Sequence, residues 1–350
     1  MRGLVGVLCA LALGLSAAPA LAQSRVVDVQ IPAPSLQGNL LGTPTVQAGS
    51  VYLPPSYGRG HKRYPVLYLL HGYTDNHAVW LNFVHIKDVM DRAIAAHRIP
   101  EAIVVMPDEV DVYGGGFYRN SPVAGRWEDY IVDDVIHFAD THYRTLPGPG
   151  GRGLIGWSMG GYGAIHIAMD RGGVFAAAYG ISPCCLAPVE DLGSGNGIGR
   201  HLFDLHTQAD VEAAISAHDY YTMAGIALLS AFSPDPNAQP LHFRSPFKLS
   251  DEALVPDPPA YDAYVAQFAV NQIPQSRAAL MSLRAFGFDY GYGDQYAHIP
   301  VAARMFAERL SEARIPYRTE GYEGDHHDRV AQRFESVVLP YIANALDAPR

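Results

Sequence analysis

The sequence predicts an α/β fold in which a mostly parallel central sheet carries helices on both faces. The first observation is a series of short apolar runs, each bounded by turn residues, at 66–70, 103–106, 154–156, 176–181 and 283–288. Continuous apolar runs of this length are typical of strands buried on both faces of a parallel sheet. The second observation is that helical patterns separate these runs, and such alternation is typical of layered α/β folds.

Further elements can be placed in chain order around these runs. An early strand is predicted at 51–53 because a Pro-Pro-Ser turn follows it, and a late strand is predicted at 317–322. A helix is expected at 162–169. The clearest helical pattern has apolar side chains spaced 3, 4, 4 and 3 apart, at Ile299, Ala302, Phe306, Leu310 and Ala313.

Residues 186–275 break the alternation of strands and helices. The stretch is rich in Pro, Gly, His and Tyr and is only weakly periodic, with helical pieces expected near 209–231 and 259–271. We interpret it as an insertion, or lid, over the sheet, because loops this long tend to be functional when they are ordered. The prediction for 23–350 is therefore a single domain that contains this insertion.

Composition excludes some classes of function. The chain has 350 residues, 49% of them hydrophobic, which is enough to bury a large core. Its formal net charge is −10 and no run rich in Lys and Arg occurs. A nucleic-acid partner is therefore not expected.

The N-terminal residues 1–22 are predicted to be a cleavable signal peptide. Arg2 supplies the positive start, 4–15 is an apolar stretch too short to span a bilayer, and cleavage is expected after Ala22. The alternative is a buried N-terminal helix. The signal peptide predicts a periplasmic or secreted protein without stable membrane insertion.

Two adjacent cysteines, Cys184 and Cys185, would remain after this cleavage. Two neighbours cannot build a disulfide framework or supply the spacing of a zinc site. They are interpreted as small buried residues at a strand end, and a strained vicinal disulfide is the alternative.

A single serine lies between an apolar run and a helical pattern in the pentapeptide Gly156-Trp-Ser158-Met-Gly160. A strand that runs into a helix must turn sharply, and glycines two positions before and after the turn residue remove the Cβ atoms that would collide. The hydroxyl would then lie at a helix N-terminus, where negative charge is favoured. Ser158 is the predicted nucleophile, and the alternative is a tight turn with an incidental serine.

A serine nucleophile needs a general base and an acid that orients it, and at a strand–helix turn of this kind both follow later in the chain. Asp289 and Asp294 both follow the run at 283–288 and compete for the role of acid. Asp294 is favoured because it lies deeper in its loop and Gly293 leaves it room to reach inward. Asp289 is closer to the strand and suits a role in holding the loop.

The candidate bases are His326 and His327, in the loop after the strand at 317–322. The 32 residues between Asp294 and His326 can hold one helix and one strand, which returns both loops to one edge of the sheet. A metal site is the alternative for this cluster of Asp and His, but adjacent histidines point in different directions and no second ligand pair has helical spacing. No metal or cofactor is expected.

Stabilising a developing oxyanion requires hydrogen-bond donors close to the nucleophile. The backbone amide of Met159 is one candidate. The second is the amide of Tyr73, in the loop after the run at 66–70, where Gly72 allows a close approach. His71 in the same loop is interpreted as a hydrogen-bonded structural histidine.

Several stretches together resemble the esterase D-like family of α/β hydrolases, which includes S-formylglutathione hydrolases, feruloyl esterases and mycolyltransferases. The resemblance spans about 50–185 and 280–345 and does not extend through 186–275. It is carried by VYLPPSY, YPVLYLLHGYTDN, WEDYIVDDVIHFADTHYRT, GLIGWSMGGYGAIHIAM and YEGDHHDRVAQRFESVVLPYI.

The resemblance implies an α/β-hydrolase fold and a base in a Gly-x-His turn near the C-terminus. That turn matches Gly324-Asp-His326 and supports His326 over His327, while the family's acid lies in a loop similar to the one that carries Asp294. The expected function is hydrolysis of small carboxylic esters through an acyl-enzyme on Ser158. An acyltransferase with the same triad is the main alternative, and a non-catalytic binding protein on a hydrolase fold is another.

Overall fold

The computed structural model describes residues 23–194, 200–251 and 253–350. The predicted signal peptide at 1–22 lies outside these residues and stays a prediction. Eight strands form the central sheet: β1 (Arg25–Pro32), β2 (Val46–Leu53), β3 (Val66–Leu70), β4 (Ile103–Pro107), β7 (Arg152–Trp157), β8 (Ala177–Ile181), β11 (Ala285–Gly291) and β12 (Arg318–Tyr322). Two short hairpins lie outside it: β5 (Asn120–Ser121) with β6 (Gly125–Arg126), and β9 (Phe247–Ser250) with β10 (Ala253–Pro256).

The sheet has the strand order β1-β2-β4-β3-β7-β8-β11-β12. From β4 to β12 all neighbours are parallel, whereas β1 and β2 join at one edge as antiparallel strands. This arrangement confirms the predicted, mostly parallel sheet. Each predicted apolar run forms a central strand, and every residue of β3, β4, β8 and β11 is buried. The edge strand β1 was not predicted because its exposed and half-buried residues form no apolar run.

Twelve α-helical segments surround the sheet in the described chain: α1 (Ala78–Asn82), α2 (Ile86–Ala95), α3 (Trp127–Asp129), α4 (Ile136–His142), α5 (Met159–Asp170), α6 (Gln208–Ser216), α7 (Tyr220–Phe232), α8 (Ala260–Val265), α9 (Ala269–Met281), α10 (His298–Glu312), α11 (Val330–Arg333) and α12 (Leu339–Ala343). Two π-helical segments, Tyr130–Val135 and Phe334–Val338, connect α3 to α4 and α11 to α12. None of the helices in the described part of the chain is long and apolar enough to cross a membrane.

Alternate residues of the central strands pack into two hydrophobic clusters on opposite faces of the sheet. In β3, Tyr68 belongs to one cluster with Ile165 of α5, and Leu69 belongs to the other with Met90 of α2. The predicted helix at 162–169 lies within α5, and the pattern that begins at Ile299 forms the buried side of α10. Helices therefore cover both faces, as predicted.

The insertion at 186–275 contains α6, α7, α8, the β9–β10 hairpin and the start of α9. The helical piece expected near 209–231 is two helices, because α6 ends at Ser216 and α7 is capped anew by the Asp219 side chain. The piece expected near 259–271 is also two helices, of which α9 continues to Met281. Phe232 and Phe268 from this insertion are buried in the cluster that contains Tyr68 of the sheet.

The parallel register brings the carboxyl ends of the central strands to one edge of the sheet. Leu70 lies opposite Gly156, Trp157 opposite Ile181, and Gly291 opposite Tyr322. The loops that carry the predicted site residues all follow these strand ends. Open α/β sheets place their ligand sites at this edge.

Candidate active site

Ser158 forms the sharp turn between β7 and α5. Its backbone has φ 57° and ψ −118°, a region that residues with a Cβ rarely adopt. The strained turn is held by three backbone hydrogen bonds: the Ser158 amide donates to the Ile181 carbonyl at 2.9 Å, and the Ser158 carbonyl accepts from the amides of Tyr162 at 3.0 Å and Cys184 at 3.2 Å. The side chain therefore projects from the end of the sheet at the first turn of α5.

The glycines on either side of Ser158 are sterically required. A Cβ at Gly156 would lie 1.9 Å from the carbonyl oxygen of Gly160, and a Cβ at Gly160 would lie 2.1 Å from the carbonyl oxygen of Leu70. Both neighbours are backbone atoms that cannot rotate away. The close approach of β7, α5 and β3 at this point depends on these two glycines.

Asp294 and His326 form a buried pair on the loops after β11 and β12. The Nδ1 of His326 lies 2.7 Å from Oδ2 of Asp294, and the side chains are 3% and 0% exposed. The Tyr296 amide donates to the other oxygen, Oδ1, at 2.9 Å. With Nδ1–H donating to the carboxylate, Nε2 is the ring nitrogen left to accept a proton.

Trp157 ties this histidine loop to the serine turn. Its indole N–H donates to the carbonyl oxygen of His326 at 3.2 Å, and the two ring centroids are 5.6 Å apart. Since Trp157 precedes Ser158, the contact places His326 beside the end of β7. On its other side, the His326 ring meets the edge of Tyr296 at a centroid distance of 4.9 Å.

The two competing residues have other surroundings. Asp289 lies inside β11, fully buried, where Arg333 donates to its carboxylate at 2.5 Å and the Tyr179 hydroxyl lies 3.3 Å away. Burial, partly offset by Arg333, raises the pKa of Asp289 to about 6. His327 is exposed, and its ring centroid lies 5.3 Å from that of Trp157. The structure thus joins Asp294, rather than Asp289, to His326.

Ser158 and His326 border the same cavity, called here the histidine-side cleft, which has a volume of about 770 Å³ and is partly open to solvent. Its lining includes Gly72, Asp75, Trp157, Ser158, Tyr296 and His326. Among the described residues, the Ser158 hydroxyl makes no hydrogen bond, including none to His326. Catalytic hydrogen bonds are often long in unliganded sites and tighten when the substrate binds.

The two expected oxyanion donors belong to segments that approach Ser158. Met159 is the first residue of α5, so its amide has no acceptor in the helix. A Cβ built on Gly72 would lie 3.5 Å from the Cβ of Ser158, which shows how closely the loop that carries Tyr73 approaches. Within residues 23–194, 200–251 and 253–350, neither the Met159 amide nor the Tyr73 amide donates a hydrogen bond to another protein group.

His71 supports this loop from beneath. Its ring is fully buried, with Nδ1 2.8 Å from the Gly72 carbonyl and Nε2 accepting a hydrogen bond from the Glu109 amide at 2.8 Å. Burial lowers the pKa of His71 to about 4. A neutral ring fits both contacts, which agrees with its interpretation as a structural histidine.

A second cavity at Ser158, called here the aromatic pocket, has a volume of about 570 Å³, part of it open to solvent. Sheet loops and the insertion build it together, since its lining includes Tyr73, Phe117, Met159, Cys184, Tyr220, Leu228 and His298. The helix α7 thus covers the site, as the prediction of an insertion over the sheet requires. Cys184 and Cys185 are free, buried thiols beside this pocket. They do not form the vicinal disulfide that was the alternative to two small buried residues.

Sequence reasoning missed three polar residues in these cavities. Asp75 borders the histidine-side cleft, and burial raises its pKa to about 6 although the charge of His326 opposes this. Asp191 and His298 form an ion pair in the aromatic pocket with a separation of 2.8 Å. These two residues are 107 positions apart, so no local pattern connects them.

Among the described residues, no group of three or more His, Cys, Asp or Glu side chains is arranged to hold a metal ion.

Proteins with related sequences include named esterases. An esterase of Mycobacterium tuberculosis (strain CDC 1551 / Oshkosh) is 32% identical over 210 residues, covering 53% of this chain and 43% of that protein. An endo-1,4-beta-xylanase/feruloyl esterase of Xylanibacter ruminicola is 33% identical over 139 residues, covering 38% of this chain and 19% of that protein. The matches thus span less than half the length of these relatives.

Solved structures share the fold. A ferulic acid esterase superposes with a TM-score of 0.61 at 22% identity, covering 92% of this chain and 97% of that one. An S-formylglutathione hydrolase from Agrobacterium tumefaciens superposes with a TM-score of 0.60 at 17% identity, covering 93% of this chain and 97% of that one. These likenesses confirm the predicted α/β-hydrolase fold.

The family resemblance inferred from the sequence is confirmed as well. The model of the family described as putative esterase matches residues 44–333, a span that includes Ser158, Asp294 and His326. It also includes the strand–serine–helix turn and the loops that meet it at the sheet edge. The chain therefore belongs to the putative esterase family.

Proposed function

We propose that the protein is a serine hydrolase that cleaves small carboxylic esters through an acyl-enzyme on Ser158. The observation that carries the proposal is the buried Asp294–His326 pair, with its 2.7 Å hydrogen bond, in the same cleft as a serine held at a strained strand–helix turn. Membership of the putative esterase family supports the reaction class.

The proposed reaction has two halves. In the first, His326 Nε2 takes the proton of Ser158 as Oγ attacks the ester carbonyl, and the Met159 and Tyr73 amides stabilise the oxyanion. The tetrahedral intermediate collapses, and His326 returns the proton to the leaving alkoxide. In the second half, His326 activates a water molecule that hydrolyses the acyl-enzyme. Asp294 orients the imidazole and stabilises its charged form throughout.

The test is turnover of p-nitrophenyl esters of increasing acyl length by the wild type and by Ser158→Ala. Ser336→Ala is the matched control, since Ser336 is exposed on the C-terminal helical segment. Loss of turnover and of fluorophosphonate labelling in Ser158→Ala alone is expected. Full labelling of Ser158→Ala, or absence of turnover by the wild type, would contradict the proposal, and the latter would leave a binding protein on a hydrolase fold.

An acyltransferase would use the same acyl-enzyme and pass it to an alcohol. Product analysis with and without an added sugar or alcohol acceptor separates the two reactions. Hydrolysis is expected to yield free acid as the main product in both conditions.

We further propose that the protein is exported, on the basis of the signal peptide predicted at 1–22. Expression of the full chain followed by N-terminal sequencing of the periplasmic or secreted form tests this. A mature chain that starts at Gln23 is expected, whereas an intact chain that stays in the cytoplasm would refute export.

A further inference from the structure

The two cavities at Ser158 can be assigned to the two halves of an ester. In the proposed reaction His326 must hand a proton to the leaving alkoxide, so the alcohol portion has to lie on the side of that imidazole. His326 borders the histidine-side cleft, whereas the lining of the aromatic pocket does not include it. The alcohol portion therefore belongs in the histidine-side cleft, and the acyl group belongs in the aromatic pocket.

Asp75 supplies a carboxylate to this cleft, close to the reacting serine. A Cβ built on Gly72 would lie 3.0 Å from Oδ2 of Asp75 and 3.5 Å from the Cβ of Ser158, so the two side chains flank the same point of the chain. Asp75 is half-buried and borders the cleft together with His326. A group that is attached a few bonds from the ester oxygen can therefore reach its carboxylate.

The Asp75 carboxylate has no cationic partner. Within the described chain its oxygens make no hydrogen bond and no ion pair. The cleft lining contains no Lys or Arg, and Asp75 is its one acidic residue. His326 must be neutral to act as the base, and burial lowers the pKa of His327. Asp75 is thus the one full charge in the cleft lining when substrate binds, and a half-buried charge without a counter-ion is costly.

Aromatic side chains form much of the remaining wall of the cleft. Four aromatic residues that are at least partly exposed border it: Tyr73, Phe83, Tyr220 and Tyr296. The faces of such rings attract cations, including quaternary ammonium groups, which cannot donate hydrogen bonds. An unpaired carboxylate beside several rings, with no cationic side chain in the lining, is suited to a cation that the ligand brings.

We propose that the histidine-side cleft is a subsite for an alcohol portion that carries an ammonium group, which pairs with the Asp75 carboxylate and packs on the surrounding rings. This inference rests on the proposed function and names its substrate class as esters of amino alcohols. A neutral alcohol gains no charge pairing in this subsite, and an anionic one is repelled by the carboxylate.

The test compares a choline ester with the 3,3-dimethylbutyl ester of the same acid, in which a carbon atom replaces the charged nitrogen. The acyl group is the one that gives the highest kcat/KM among the p-nitrophenyl esters. All assays run at about pH 8, because burial raises the pKa of Asp75 to about 6. In the wild type, kcat/KM is expected to favour the choline ester by roughly 10- to 30-fold.

Variants assign this preference to the carboxylate. Asp75→Asn keeps the size of the side chain but loses its charge, so the preference should fall to about twofold to fivefold, which the rings alone can supply. Asp88→Asn is the matched control, since it makes the same change in net charge at an exposed site on α2, and it should keep the full preference. If Asp75→Asn does not fold, Asp75→Ser makes the same comparison.

Three results would overturn the inference. They are equal use of the two esters by the wild type, a full preference in Asp75→Asn, and an equal loss of preference in Asp88→Asn, which would make the effect one of overall charge. Where an ester is hydrolysed too slowly to measure, its competitive inhibition of p-nitrophenyl ester turnover gives the same comparison.

These outcomes are distinct from failure of the proposed function. If the wild type hydrolyses p-nitrophenyl esters but shows no preference for the cationic alcohol, the esterase stands and the role of Asp75 falls. If the wild type hydrolyses none of the esters, or Ser158→Ala hydrolyses them equally well, the proposed function fails first and takes this inference with it.

Discussion

Replacing Asp294 by asparagine tests the arrangement of the proposed triad most directly. The Tyr296 amide donates to Oδ1 of Asp294, and His326 Nδ1 lies 2.7 Å from Oδ2. In Asp294→Asn, the amide oxygen would stay with the Tyr296 N–H, which turns the NH₂ group toward Nδ1. A donor there favours the tautomer with the proton on Nε2, and that nitrogen could no longer accept the proton of Ser158.

The size of the expected effect follows from this change of tautomer. The side chain of Asp294 is 0% exposed and that of His326 3%, so solvent cannot readily supply another partner. In serine proteases the equivalent exchange lowers kcat by about 10⁴-fold, which corresponds to ~5 kcal/mol in the activation free energy. We expect a loss of this order in kcat, with a folded protein.

Asp289→Asn is the matched control, because the side chain of Asp289 is also 0% exposed and lies only five positions away. Its partner is Arg333, at 2.5 Å. Removing one charge of a buried pair typically costs about 3–5 kcal/mol in the free energy of unfolding. Asp289→Asn should therefore lose stability while its kcat stays within about threefold of the wild type, because the side chain of Asp289 contacts Arg333 and Tyr179 rather than His326.

The assay measures kcat with a p-nitrophenyl ester and the free energy of unfolding with urea, at pH 7 for both variants. Near wild-type kcat in Asp294→Asn, together with a large loss of kcat in folded Asp289→Asn, would refute the assignment of the acid. Equal losses in both would show that burial, rather than the contact with His326, governs activity.

Three further predictions concern the histidines and the serine turn. Substitution His326→Gln should lower kcat by at least about 10³-fold, whereas His327→Gln should leave it within about threefold. Substitution Gly160→Ala should cost more than about 3 kcal/mol in urea unfolding, because its Cβ would lie 2.1 Å from a backbone oxygen. Because burial lowers the pKa of His71 to about 4, below its ordinary ~6.5, the unfolded chain binds more protons between these values. Wild-type stability should therefore fall by about 3 kcal/mol more than that of His71→Gln between pH 6.5 and 4.

Each of these three predictions would be contradicted by a specific experimental outcome. Gly58→Ala is the control for the turn, since a Cβ at Gly58 meets nothing within 4 Å, and equal losses in both glycine variants would contradict the steric argument. Parallel stability curves for wild type and His71→Gln would contradict the neutral, buried state of His71. Higher activity in His326→Gln than in His327→Gln would contradict the assignment of His326 as the base and point to His327.

Much of the sheet could be predicted because its signals are local. The runs that became β3, β4, β7, β8 and β11 are apolar throughout, and a strand buried on both faces requires this of every residue. The edge strand β1 could not be found this way, since one exposed side leaves no such run. The helical pieces of the insertion were located, but the breaks within them were not predicted, because capping depends on single side chains such as Asp219.

In the candidate site, too, some features could be predicted from the local sequence and others arise only from tertiary contacts. The sequence by itself determined the serine turn, because glycines flank Ser158 on both sides and a Cβ at Gly156 would meet the backbone of Gly160 within the turn itself. The need for glycine at position 160 comes from the tertiary structure, in which a Cβ there would meet the carbonyl oxygen of Leu70 in β3. Only the tertiary structure decided that Asp294 rather than Asp289 meets His326, and that Asp191 meets His298 across 107 positions. Those contacts depend on the register of neighbouring strands and on how the insertion packs against the sheet. Long-range packing of this kind produces no periodic pattern in the local sequence, so it cannot be predicted from the sequence alone.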